Sequence, residues 1–409
     1  MLETLKTSKT SRQTFFLFFA QIFVMVLNFI SGMLVAKGMG SVQYGVYSLA
    51  LSIIMFLSIF FEFGYFASIS RLLAQCKDEI CEKELLGASL VVLIVISILF
   101  VLTVLILSFL VDIIFKDKVG KILFITSFFS FAYVIPFFME LVLKGSNHIE
   151  QLAIFNLLYR IVYMMVVIYL FFYKLMNPTN IILISFLSCI MSFAYITYIL
   201  HPSFKNFKFY WLQIKHQNKI YGLHVYTGRV IDVATYQLDR ILLGYFIDAK
   251  SVGLYSIANS MANPINTFST SLASTKFKDF ANENYISHKI IKINFFWILF
   301  AIACVNLIGY IVIFYFLGEA FHESFLLLLI MTLAVGFQAA YQPYTAWLCA
   351  NGFGDEMKKL NYKMALITLI TAFVLIYLFH TVGAAVASVL SNIYSLYLYI
   401  RLYYEKSSV

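Results

Sequence analysis

The stretch LLGASLVVLIVISILFVLTVLILSFLV, residues 85–111, decides the fold. It contains no charged side chain and no proline. Crossing the hydrocarbon of a bilayer as a helix takes about 20 apolar residues. A membrane β-barrel strand would be shorter and would alternate in hydrophobicity, which this run does not. Residues 290–317 form a comparable run. The rest of the chain agrees: 62% of the 409 residues are apolar and 12% are charged. A soluble domain carries about 25% charged residues, so a soluble fold would lack a polar coat here. The 43 Phe and 28 Tyr can instead face lipid. The sequence predicts an all-α integral membrane protein.

Repeating the search along the chain predicts twelve transmembrane helices: 13–36, 42–69, 85–111, 121–143, 151–173, 179–200, 221–246, 251–275, 289–317, 321–349, 358–379 and 382–402. An even number puts both termini on one side. The net charge of +9 then has an explanation other than nucleic-acid binding. With the termini inside, 20 of the 29 basic residues fall on the cytoplasmic side and six (Lys37, Lys116, Lys118, Lys121, Lys174, Lys250) outside. Such a bias in short loops is the positive-inside pattern. The longest connection, residues 201–220, is basic. It divides the chain into a lobe over 1–200, spans one to six, and a lobe over 221–409, spans seven to twelve. Residues 1–12 are polar and lead directly into a full-length span, so no cleaved leader is expected. The five cysteines form no CxxC and are expected as free thiols.

The halves carry a repeat. Tyr44-Gly45-Val46-Tyr47-Ser48-Leu49-Ala50 reads against Val252-Gly253-Leu254-Tyr255-Ser256-Ile257-Ala258 at an offset of 208. Pro136 and Gly145 match Pro343 and Gly352 at an offset of 207. Six spans per half give both copies the same orientation. Two six-helix lobes related by a parallel pseudo-two-fold axis, with a cavity between them, are therefore expected. Pro136, Pro264 and Pro343 each remove a backbone hydrogen bond within a span and favour a kink.

Ionisable groups inside a bilayer are costly and point to function. Span seven holds Arg229, Asp232, Asp239 and Arg240. At about 100° per residue, these and Tyr236 share one face of the helix. That face either lines a wet cavity or is a self-neutralising ladder, Arg229 with Asp232 and Arg240 with Tyr236 or Asp239. Arg160 lies in span five. Glu62 in span two and Glu140 in span four are candidates for carrying a coupling proton, since burial raises a carboxyl pKa; either could equally pair with Arg160. The seven histidines are dispersed, and no metal cluster, HExxH, GxSxG or P-loop is present. No cofactor is expected, and nothing points to an enzyme.

In their order and spacing, several short motifs resemble the polysaccharide transporters. These are Lys37-Gly38-Met39-Gly40, Tyr44-Gly45-Val46-Tyr47, Phe63-Gly64, Ser70-Arg71 and Leu238-Asp239-Arg240-Ile241-Leu242-Leu243-Gly244. The family comprises the Wzx-type O-antigen flippases, related to MATE exporters and lipid II flippases. It usually has Arg where Lys37 stands, which keeps the charge. The resemblance implies a monomer in the bacterial inner membrane. It would move an undecaprenyl-diphosphate-linked oligosaccharide from the cytoplasmic to the periplasmic face by alternating access, coupled to protons or cations. A polysaccharide polymerase and a chain-length regulator would be its partners. Arg229, Arg240 and Arg160 could neutralise the diphosphate.

Three rivals share the length and span count. An O-antigen polymerase or ligase typically carries a large outer loop, and none is expected here. A major-facilitator permease usually shows a GxxxDRxGR-like loop between spans two and three, where this chain reads Arg71-Leu72-Leu73-Ala74-Gln75-Cys76-Lys77-Asp78. A MATE-like small-molecule exporter would share the fold and is the nearest alternative.

Overall fold

The structure, a computed structural model, describes residues 9–283 and 285–407, with side chains described from Ala20 onward except at 228, 229, 231–236 and 278. The described residues contain helices, turns and loops and no strand. Among the described residues, seven helices are long and apolar enough to cross a membrane. The chain packs as two compact units, one of residues up to Met39 with Ala50–Val230, the other of Gly40–Leu49 with Ile231 onward.

The first unit begins with α1 (Lys9–Phe60), in which Gly40 breaks the helical dihedrals at φ 74° and ψ 171°. Then come α2 (Tyr65–Leu73), α3 (Glu79–Ile114), α4 (Gly120–Ser127), α5 (Ile135–Gly145), α6 (Ile149–Phe172), α7 (Pro178–Leu200) and α8 (Phe207–Gln217). α3 contains the run that opened the sequence reading. Its 36 residues rise about 54 Å, more than the ~30 Å of hydrocarbon, so its ends project beyond it. Asp78 caps its start, accepting the Cys81 amide at 2.7 Å. Phe66, Phe100, Phe138 and Phe155 are fully enclosed in this unit, and the Phe66 and Phe138 rings meet edge-to-face at 5.3 Å. Such rings contribute both area and orientation to a core.

The second unit contains most of α9 (Leu223–Phe246), then α10 (Ala249–Ala262), α11 (Pro264–Thr275), α12 (Phe277–Phe280), α13 (His288–Ile311), α14 (Ser324–Ala350) and α15 (Gly354–Ser407). α15 is interrupted at His380, which takes φ 55°. An aromatic cluster of Phe280, Tyr344, Trp347 and Tyr403 holds the ends of α12, α14 and α15 together. The Tyr403 hydroxyl accepts the Ile286 amide at 2.8 Å. Gly45 and Gly253, which correspond in the repeat, lie against each other: a Cβ on Gly45 would stand 1.6 Å from the Ala249 carbonyl oxygen, and one on Gly253 3.1 Å from the Gly45 Cα. Glycine lets helices approach this closely in a membrane.

Several expectations change. Only Pro343 lies inside a helix. Pro136 and Pro264 stand in the first turns of α5 and α11, just behind Val134 and Asn263, which keep helical dihedrals, so each predicted span is interrupted at its proline. Predicted span two is broken at 61–64, where Phe63 and Gly64 both have positive φ. The 201–220 connection holds α8, whose Tyr210 and Ile214 are buried four residues apart on one face. Cys76 and Cys81 are joined in a disulfide, not free; Cys189, Cys304 and Cys349 are free thiols. At helix ends, Glu323 pairs with Lys250 at 2.9 Å and Asp112 accepts the Gly120 amide at 2.6 Å.

Candidate functional site

α9 carries a polar centre inside an apolar unit. The Tyr255 hydroxyl on α10 donates to Asp239 Oδ2 at 2.8 Å. Ser388 Oγ on α15 donates to the same oxygen at 3.1 Å and lies 3.1 Å from the Tyr255 hydroxyl. Asp239 Oδ1 is enclosed with no hydrogen-bond partner among the described residues, and so is Arg240 Nε. Arg240 Nη1 donates to Gln237 Oε1 at 3.4 Å instead of pairing with Asp239. Tyr44, which hydrogen-bonds Ser48, lies within electrostatic reach of Arg240. The contact of Gly253 with Gly45 sets the position of Tyr255, two residues further along α10. One centre thus draws on three helices and on residues 40–49.

Arg229, Asp232 and Tyr236 belong to α9, but their side chains lie outside the described residues. α9 is helical through all five candidate positions, so they keep the spacing that places them on one face.

Glu62 sits at the break after α1, 5% exposed and within electrostatic reach of Tyr226. The break is closed by side chains. The Tyr226 hydroxyl donates to the Phe60 carbonyl at 3.0 Å, Asn218 Nδ2 to the Phe63 carbonyl at 3.1 Å, and Ser68 Oγ to Asn218 Oδ1 at 3.2 Å. Asn218 begins a π-helical turn, Asn218–Gly222. A Cβ on Gly64 would stand 2.4 Å from the Gly222 carbonyl. Irregular backbone in an apolar setting survives when protein satisfies it in this way.

Glu140 and Arg160 each have a partner within their own helix. Glu140 pairs with Lys144 at 2.6 Å, and both side chains are about half exposed. The Arg160 guanidinium lies 4.2 Å from the centre of the Tyr159 ring. The expected alternative of pairing one of the glutamates with Arg160 is replaced at Glu140 by this local i,i+4 pair.

Sequence reasoning missed Tyr255, Ser388, Gln237 and Asn218. Tyr255 had been quoted, but only as part of the repeat. Ser388 carries no signal: it is one small residue within Ala384-Ala385-Val386-Ala387-Ser388. Chemically, the centre holds one carboxylate with an unfilled oxygen and one guanidinium with an unfilled N–H, a few residues from apolar packing. Such groups can exchange a proton or bind a small ion or an anion.

The fold is shared with known transporters. A lipid II flippase, MurJ in an inward closed conformation, superposes with a TM-score of 0.72 at 18% identity, over 94% of this chain and 86% of that one. An inward-facing multidrug resistance MATE family transporter of the MOP superfamily gives 0.72 at 12% identity, over 94% and 96%. A eukaryotic MATE transporter gives 0.60 at 12%, over 93% and 96%. No curated protein matches by sequence. The family model described as "Polysaccharide biosynthesis protein" matches residues 11–275, more than half of the chain. This multi-pass membrane protein therefore belongs to the polysaccharide biosynthesis protein family.

Proposed function

We propose that the chain is a flippase for polyprenyl-diphosphate-linked saccharides, moving O-antigen or similar repeat units from the cytoplasmic to the periplasmic face of the inner membrane. The observation that carries the reading is the buried Asp239–Tyr255–Ser388 centre beside Arg240, in a family of polysaccharide biosynthesis proteins. A diphosphate-linked sugar cannot cross ~30 Å of hydrocarbon unaided. A cationic, wet interior would lower that barrier while the polyprenyl chain stays in lipid. Arg229, Asp232, Tyr236, Asp239, Arg240 and Arg160 are proposed to line the path. Asp239 joins Glu62 as a proposed carrier of the coupling proton or cation. Glu140 is the weaker choice because Lys144 already neutralises it.

The reading includes twelve crossings, both termini in the cytoplasm and two six-span lobes, 1–200 and 221–409, joined by the 201–220 linker. The meeting of Gly45 with Gly253 supports the repeat, because residues near a pseudo-two-fold axis meet their own counterparts. Alternating access of a monomer, supplying a polymerase and a chain-length regulator, completes the proposal.

Deleting the gene should leave lipid-linked single repeat units on the cytoplasmic face and remove surface polymer. A deletion strain with normal polymer and heightened sensitivity to cationic drugs would instead favour the MATE-like exporter, which has the same fold.

A further inference from the structure

The first unit contains an apolar groove of about 500 Å³. Ser97, Ile98 and Leu102 of α3 line it, with Phe131 from the turn before α5, Phe193 of α7, and Phe204 just past α7. Its lining is almost wholly apolar, so it cannot hold a saccharide. Along α3 it runs from Leu90 to Leu102, a rise of about 18 Å.

One end of this groove is chemically different. The segment after α7 is pinned to the start of α3: the Ser203 amide donates to the Lys83 carbonyl at 2.8 Å, and Asn206 Nδ2 reaches both Glu84 carboxylate oxygens at 3.0 and 3.2 Å. A Cβ on Gly87 would stand 2.0 Å from the Ser203 carbonyl oxygen. Phe204 therefore lies at the end of the groove nearer the start of α3, with Lys205 next in the chain and Lys208 in the first turn of α8. Both lysines are exposed and neither forms an ion pair among the described residues. The nearby acids are engaged: Glu84 by Asn206, and Glu79 by Lys83 at 3.0 Å. An apolar track that ends at two free cations fits an anionic head on one long apolar chain.

We infer that this groove seats the polyprenyl chain of a lipid carrier, with its phosphate at Lys205 and Lys208. The inference rests on the flippase reading above for the identity of the lipid. A phospholipid brings two chains, whereas a polyprenyl phosphate brings one chain of planar alkenes. Four phenylalanines, at 128, 131, 193 and 204, offer ring faces and edges to such alkenes. The cationic end attracts phosphate as juxtamembrane lysines attract anionic headgroups.

The test uses the full-length chain in vesicles of phosphatidylethanolamine and phosphatidylglycerol, with a benzophenone-tagged polyprenyl monophosphate as probe. After irradiation and digestion, label should concentrate on peptides spanning 90–102 and 193–204. Unlabelled polyprenyl monophosphate should displace it, and added phosphatidylglycerol should not. Ile98→Trp enters from the lipid side, where Ile98 is 55% exposed, and should suppress the labelling without disturbing the fold. Lys205→Gln with Lys208→Gln should weaken it roughly thirtyfold. Label spread evenly over lipid-facing peptides, or displaced equally by phosphatidylglycerol, overturns the inference. So does full labelling of Ile98→Trp. Movement of lipid-linked saccharide, measured in the same vesicles, keeps the two claims apart. Transport without groove labelling removes the groove and leaves the flippase, whereas groove labelling without transport does the reverse.

Discussion

At the scale of single residues, Asp239 and Arg240 are the ionised groups among the enclosed side chains that leave a polar atom unpartnered among the described residues. Each leaves one enclosed polar atom without a partner among the described residues, and such an atom costs about 1–3 kcal/mol. A centre kept only for packing would shed that cost by an apolar replacement. Asp239→Ala and Arg240→Ala should therefore insert and fold, with stability changed by no more than about 3 kcal/mol, yet lose transport. Wild-type complementation by both would reassign them to packing. Tyr255→Phe removes one donor to Asp239 and should cost only about 1 kcal/mol, leaving partial transport. Cys76 and Cys81 offer a second residue-scale check. Charge placement puts their loop in the cytoplasm, where disulfides are rare, although the two are bonded in the structure. A permeant maleimide should label both in intact cells and neither in air-oxidised purified protein. Protection in intact cells would argue for the opposite orientation.

At the scale of elements, the helix break after α1 and the glycine contact of α10 are the joints that position the sites. Asn218 holds the break by two side-chain hydrogen bonds. Asn218→Ala leaves the Phe63 carbonyl unsatisfied and should destabilise the protein by about 1–3 kcal/mol, read as a lower melting temperature in detergent. Gly45→Leu and Gly253→Leu push a side chain into backbone and should abolish folded protein. Gly32→Leu, where nothing lies within 4 Å, should be tolerated. Equal yields of all three would dissolve the argument. These elements also show what could be read in advance. Residues 85–111 predicted α3 directly, because a long uncharged run has no other stable form in lipid. The repeat motif foreshadowed the Gly45–Gly253 contact, since close packing demands glycine. The break at 61–64 was not legible: its partners Asn218 and Tyr226 lie some 150 residues away, and nothing in Phe61-Glu62-Phe63-Gly64 names them. Pro136 and Pro264 do mark interruptions of their spans, and each interruption separates two helices.

At the scale of the whole molecule, the all-helical membrane class was present in composition and hydropathy, whereas seven helices among the described residues are long and apolar enough to cross a membrane, against the twelve spans expected. The polar centre was half present: span seven announced Asp239 and Arg240, while Ser388 needed the third dimension. The orientation rests on charge bias alone and is open to direct mapping. Cysteines placed singly at Lys118 and Lys205 should react with an impermeant maleimide from outside only at Lys118, and reaction at Lys205 would invert the topology.

The central claim is transport of a lipid-linked saccharide through this chain. It is tested most directly in proteoliposomes loaded with a fluorescent polyprenyl-diphosphate saccharide. The fraction of label open to a membrane-impermeant quencher is followed over time. The account predicts that the wild-type chain makes the inner-leaflet label accessible, and that Asp239→Ala and Arg240→Ala protein, equally well inserted, does not. Label that stays protected with wild-type protein, under either an imposed proton gradient or a sodium gradient, would contradict it.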